Sequence, residues 1–164
     1  MAERSVASVG GAVQRPWLTV VLLSLTYLLS MIDRHILVLL VEPIRTDLQI
    51  SDTQIGLVTG VAFGLAYAVF GLPLGRLADR WSRKHVLILG VVFWSLMTMA
   101  CGISTSFLAL FVARMGVGVG EAALTPTSHA LIATSFPPDR VPLAMSLFQQ
   151  GAFFGLGASL LLGG

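Results

Sequence analysis

Four ionisable residues lie inside stretches that are otherwise apolar. Asp33 and Arg34 sit side by side in "SLTYLLSMIDRHILVLLVEP", and Arg114 and Glu121 lie in "FLALFVARMGVGVGEAALTPTSHALIATSF". Taking a charge out of water is costly unless it finds a partner or a wet cavity. Two acids and two bases at similar depth can satisfy one another, and ionisable residues inside membrane segments mark solute or ion pathways. A nearby guanidinium favours the charged carboxylate and burial favours the neutral acid. Such a site changes protonation with small changes in its access to water. Asp33 is therefore expected to carry a proton, held by Arg114. Arg34 and Glu121 are expected to form the second pair, with Arg34 free to bind an anionic headgroup once Glu121 is neutralised. The competing reading is a cluster that only locks helices together. It is disfavoured because apolar packing would do the same at lower cost.

Polar side chains continue the same faces. Thr26, Ser30 and Asp33 follow i, i+4, i+7 spacing, with Tyr27 and Arg34 on an adjacent face. Arg114, Gly118, Glu121, Thr125 and Ser128 form one stripe, and Gln149 with Gln150 lies about two turns into the last segment. The candidates for proton coupling are Asp33 and Glu121. Those for substrate binding or charge pairing are Arg34, Arg114, Tyr27, Ser30, Thr125 and Gln149. No catalytic residue, metal or cofactor is expected, and the chain does not read as an enzyme. His35, His85 and His129 fall on three different segments, and no nucleophile–base or metal-ligand spacing appears. "GVGVGE" lacks the strand-to-helix setting of a nucleotide loop; its glycines thin the segment so that a neighbour or substrate can approach Glu121.

The elements that must hold these residues follow from composition. Of 164 residues, 55% are hydrophobic and 11% charged, and the mean hydropathy is +0.87. Soluble domains carry about 25% charged residues, so the chain is read as an integral membrane protein in contact with the lipid bilayer. A membrane-spanning helix needs about 20 mostly apolar residues. Five such segments appear, over about 17–41, 55–74, 86–103, 107–133 and 143–163, preceded by a polar, flexible tail over 1–16 that lacks the apolar core of a signal peptide. The third segment carries no charge and reads as the lipid-facing helix. Asp33 and Arg114 then lie about 12 Å below the same membrane surface.

The net charge of +2 does not point to nucleic acid, because the basic residues are distributed by topology. The tail, the second linker and the fourth linker hold seven of the ten Lys and Arg, while the first and third hold only Arg45. Basic loops stay cytoplasmic, which predicts a cytoplasmic N-terminus in an inner or plasma membrane. Cys101 is a lone cysteine, read as a small apolar residue within a helix. The chain ends at "LLLGG" with its last segment on the far side, so it is expected to be part of a longer transporter.

Two stretches carry a resemblance. Gly75, Asp79, Arg80, Arg83 and Lys84 resemble the Gly-x-x-x-Asp-Arg-x-Gly-x-Arg-Lys signature between the second and third helices of the major facilitator superfamily, with Ser82 where the second glycine is usual. "RMGVGVGEA" is similar to the family's Arg-x-x-x-Gly-x-Gly pattern through Arg114, Gly118 and Gly120. Asp33-Arg34 together with "VGVGEA" resembles the spinster-like subgroup, associated with lysolipids and sphingosine-1-phosphate. The resemblance implies an all-α membrane fold, a helical bundle with five of the six helices of the N-terminal half, the C-terminal half being absent. It implies proton-coupled transport of an amphipathic, anionic, lipid-like solute by alternating access, in a protein monomeric at full length. Asp79 and Arg83 would help hold the two halves together on the cytoplasmic side. An uncoupled or proton-coupled transporter of a small organic anion or sugar acid is the alternative, and a non-transporting membrane subunit a further one. Within the second linker Asp79 is placed to cap a helix N-terminus, and Gly56, Gly60 and Gly64 are spaced for close helix packing.

Overall fold

The computed structural model describes residues 15–163, so the expected tail over 1–16 lies outside the described residues except for its last two positions. Every regular element among the described residues is helical. They are α1 (Pro16–Leu39), α2 (Val41–Leu48), α3 (Asp52–Gly56), α4 (Phe63–Arg80), α5 (Arg83–Gly102), α6 (Phe107–Glu121), α7 (Leu124–Ser135) and α8 (Val141–Gly163). A π-helical turn, Leu57–Ala62, joins α3 to α4, so the second segment runs unbroken from Asp52 to Arg80. Among the described residues, four spans are long and apolar enough to cross a membrane: Pro16–Leu39, Asp52–Arg80, Arg83–Gly102 and Phe107–Ser135.

Local chemistry fixes these boundaries. Pro16 opens α1, where its missing N–H is no loss. Ser51 and Gln54 form a reciprocal capping box at the start of α3, and Ser106 accepts from the Ala109 amide at the start of α6. Hydroxyls inside the apolar helices fold back onto their own backbone. Ser24 donates to the Val20 carbonyl at 2.9 Å and Thr26 to that of Leu22 at 2.8 Å, which satisfies them without water.

Several expectations are corrected. The first connection is itself largely helical, over Val41–Leu48, with Arg45 held between Glu42 and Asp52 at 2.8 and 2.7 Å. Hydrogen bonding to Glu42, then to Asp52, holds the Arg45 guanidinium above its ordinary pKa. Asp79 does not cap the following helix. It lies in the last turn of α4, because the helix continues through Pro73 to Arg80, and Ser82 precedes α5 without a capping bond. The fourth segment runs as one span from Phe107 to Ser135, as expected, with only a turn at Ala122–Ala123 between α6 and α7, both residues keeping right-handed helical backbone.

The fourth segment is the hub. It packs along α4 and α5, while α1 pairs with α8. Close approach depends on missing side chains. A Cβ on Gly118 would stand 2.6 Å from the Phe63 carbonyl, and one on Gly120 would stand 2.7 Å from Trp94 Cβ. The glycines before Glu121 are thus filled by protein neighbours. A Cβ on Gly56, Gly60 or Gly64 would meet nothing within 4 Å outside its own stretch of helix among the described residues, so the tight packing expected of that stripe is not made here. Nor is α5 purely lipid-facing, since Val86 and Trp94 are buried.

Candidate functional site

The centre of the site is Glu121, at the last position of α6 and fully buried. Its Oε2 accepts from Ser30 Oγ and from Arg34 Nε, each at 2.8 Å, and Arg34 Nη2 lies 2.8 Å from the same oxygen. Two hydrogen bonds and a second guanidinium contact therefore fall on one carboxylate oxygen. Oε1 has no hydrogen-bond partner among the described residues. Ser30 and Arg34 are i, i+4 on α1, one turn apart, which lets both reach one atom on the facing helix.

Arg34 is also held by aromatic faces. Its Cζ stands 4.6 Å from the Phe63 ring centroid and 5.1 Å from that of Tyr67, both on α4. Phe63 takes a second cation, with Arg114 Cζ 5.2 Å from the same centroid. A guanidinium within about 6 Å of a ring is attracted to its face. Arg114 is 4% exposed, and its Nη2 donates a long bond of 3.5 Å to the Arg34 carbonyl while its Nε has no partner among the described residues.

Asp33 does not form the expected ion pair with Arg114: no such contact falls within 4 Å. Neighbouring residues on a helix point about 100° apart. Arg34 therefore turns to α4 and α6 while Asp33 turns toward α5, where Thr98 donates to its Oδ2 at 3.4 Å. Asp33 and Arg114 instead share the wall of a cavity of about 570 Å³ bounded by α1, α2, α5 and α6.

Other expected residues are more dispersed. Thr125 lies 3.4 Å from the Tyr67 hydroxyl, one turn below Glu121. Tyr27 stacks on Phe148 at 5.0 Å between centroids, on the seam of α1 with α8 and apart from the arginines. Gln149 is exposed on α8. Gly75 packs near Pro126, Arg80 and Lys84 are exposed, and Arg83 stands 4.0 Å from Asp79. Arg83 also donates to Thr134 Oγ1 at 3.2 Å and to the Ala130 carbonyl at 3.4 Å, which ties the start of α5 to the end of α7. Phe63, Tyr67 and Thr98 were not anticipated. The i, i+4 aromatic pair on the second segment was the available signal for the first two, obscured by the glycine stripe beside it.

Intramembrane charges at the meeting point of three apolar helices define a polytopic membrane protein with a polar interior site. Residues 23–164 match the Major Facilitator Superfamily, and the chain belongs to that family. It is 38% identical over 151 residues to an "MFS-type efflux pump" of Mycolicibacterium smegmatis, covering 92% of this chain and 35% of that protein. It is 29% identical to the "Hexuronate transporter" of Bacillus subtilis, covering 83% and 32%. A crystal structure of a bacterial homologue of the human lysosomal transporter spinster, inward-facing and unoccupied, superposes with a TM-score of 0.87 at 35% identity, over 93% of this chain and 32% of that one. The spinster-like resemblance thus extends to the structure. The chain spans about a third of the length of these relatives.

Proposed function

We propose that the full-length protein is a secondary active transporter that couples protons to the movement of an amphipathic, anionic, lipid-like solute of lysophospholipid or sphingolipid type. The observation that carries the reading is the asymmetry of Glu121: one oxygen takes two hydrogen bonds and a second guanidinium contact, and the other has no hydrogen-bond partner among the described residues. A proton arriving at Oε1 would neutralise the carboxylate and weaken a charge-assisted bond to an ordinary one. Arg34 would then be released with its charge intact. Its side chain is already 28% exposed and lies against two aromatic rings. A cation beside apolar faces suits an acidic headgroup attached to a hydrocarbon chain. Asp33, beside Thr98 in the cavity, is the second protonatable group on the route.

In this scheme the protein works as a monomer in the inner or plasma membrane with its N-terminus cytoplasmic, as the distribution of basic residues favours. Access alternates by rocking of this bundle against a second half. Asp79 and Arg83 belong to the cytoplasmic lock between the halves. The similarity to a hexuronate transporter supports a second reading, in which Arg34 binds a sugar acid.

Proteoliposome uptake by the full-length protein, with and without a pH gradient, tests the scheme. Lysolipid flux that follows the gradient, and loses that dependence in both Glu121→Gln and Asp33→Asn, supports it. Gradient-dependent flux that persists in both variants refutes the proton role. Transport of a hexuronate but not a lysolipid favours the second reading.

A further inference from the structure

The connection between the first two membrane segments is held more lightly than the chain on either side of it. Leu37 before α2 and Ile50 after it are buried, while no residue of α2 itself is buried. Both ends of α2 depart from regular backbone. Leu40 leaves the helix at φ −93° and ψ 8°, in the sparsely allowed bridge region, and Gln49 stands at φ 50°, a left-handed conformation that is uncommon for a residue other than glycine. In hinge motions a few residues at the ends of elements absorb the change in φ and ψ. Here two such positions bracket one short helix, and each lies next to a buried anchor.

One face of α2 forms a wall of the cavity beside Asp33. Ile44, Asp47 and Leu48 are spaced i, i+3, i+4 and all line it. Ile44 and Leu48 also rest on Leu37, Val58 and Leu110. Two half-buried side chains are a weak hold for eight residues, and segments with few buried apolar contacts open first. The other hold is polar. Arg45 Nη2 meets Glu42 within α2, and Arg45 Nη1 meets Asp52 Oδ1 at 2.7 Å in α3. Among the ion pairs of the described residues, the Asp52 pair alone crosses from α2 to the second segment, which is packed along α6. The Asp52 side chain is 84% exposed, so this pair is weak, readily broken and sensitive to salt.

We propose that α2 is a hinged lid over the cavity beside Asp33, latched to the second segment by the Arg45–Asp52 pair. It swings about Leu40 and Gln49, lifting Ile44 and Leu48 off Leu37, Val58 and Leu110. The movement is local, so the cavity opens to the membrane surface at which α1 ends without any rocking of the whole bundle. Glu42 positions the Arg45 guanidinium for the latch from within α2. The lid acts in the same way whichever solute is transported.

Cys101 lines the cavity and is partly exposed, so its alkylation reads the opening of the lid. The full-length protein in nanodiscs would be treated with iodoacetamide, a neutral and water-soluble reagent, and the Cys101 peptide followed by mass spectrometry. The control thiol is Trp81→Cys in a Cys101→Ser background, at the exposed far end of the second segment. Alkylation tracks the open population when opening and closing are fast. Arg45→Gln and Asp52→Asn should each speed Cys101 by about twofold to fivefold, as loss of one exposed ion pair allows, and the double variant by no more than either single. Salt at about 1 M should speed the wild type alike and leave the variants unchanged. Hydrogen exchange of the α2 amides should quicken by the same factor, with Trp81→Cys unaffected. Unchanged Cys101 reactivity while α2 exchange quickens would show that α2 does not cover the cavity. Faster Cys101 without faster α2 exchange would show that the cavity opens elsewhere. Additive single variants, or a control thiol that quickens equally, would also overturn the lid.

Discussion

Replacing Glu121 by leucine removes the acceptor on which Ser30, Arg34 Nε and Arg34 Nη2 converge. Breaking a buried pair from one side costs about 3–5 kcal/mol, because the remaining charge is left without compensation. Here the low end applies: the Arg34 side chain is 28% exposed and keeps its contacts with Phe63 and Tyr67. Glu121→Leu should therefore destabilise the protein by roughly 3 kcal/mol. Glu121→Gln keeps the shape and the acceptor oxygen but exchanges charge-assisted bonds for neutral ones, a loss of about 1–2 kcal/mol. The double variant Arg34→Leu with Glu121→Leu removes both charges and should recover stability relative to either single leucine variant, giving a coupling of at least about 2 kcal/mol. The measurement is reversible unfolding of the full-length protein in mixed micelles of increasing denaturing-detergent fraction. A Glu121→Leu cost below about 1 kcal/mol, or a double variant as unstable as the sum of the singles, would refute the argument that the pair is a buried and mutually dependent unit.

Phe63→Leu should weaken the hold on both guanidinium groups and cost about 1–2 kcal/mol in the same assay, whereas Tyr67→Phe keeps its ring and should cost less than about 0.5 kcal/mol. Gly118→Val should destabilise by about 1–3 kcal/mol or more, because the new side chain would meet the Phe63 backbone carbonyl, which cannot swing aside. Gly157→Ala, where no atom lies within 4 Å, should be neutral or slightly stabilising and serves as its counterpart. Arg83→Ala should cut the tie between α5 and α7. Hydrogen exchange should then quicken in the first turn of α5 and the last turn of α7 together, and quickening at only one of them would show that Arg83 does not join them.

The helical class and four of the long apolar segments were legible because bilayer thickness imposes a run length that soluble proteins rarely show. The proximity of Arg34 to Glu121 was legible for a related reason, since an unpaired charge at that depth has few alternatives. Asp33 shows the limit of that argument. Charge balance alone pairs it with Arg114, but its angular position on α1 turns it toward Thr98, and the rotation of a helix about its own axis is not fixed by hydropathy. The true length of the second segment was hidden by the charged residues Arg76, Asp79 and Arg80, which mark the membrane surface and not the end of the helix. The turn at Ala122–Ala123 did have a signal in Pro126, which cannot donate to the Ala122 carbonyl and crowds it.

The fourth segment has over half of its apolar stretch, 56%, buried inside the protein, against 17–22% for the other three spans. A central arginine raises the cost of handing a helix from the translocon to lipid by about 2.5–3.5 kcal/mol, and this segment carries Arg114 together with Glu121. Its partners Ser30 and Arg34, and the Phe63 ring, belong to segments synthesised earlier. Membrane insertion of the fourth segment would then be a joint event in which the first and second segments remain beside the translocon until it emerges. Removing Arg34 would lower the yield of correctly inserted chains during synthesis, before any solute had been moved.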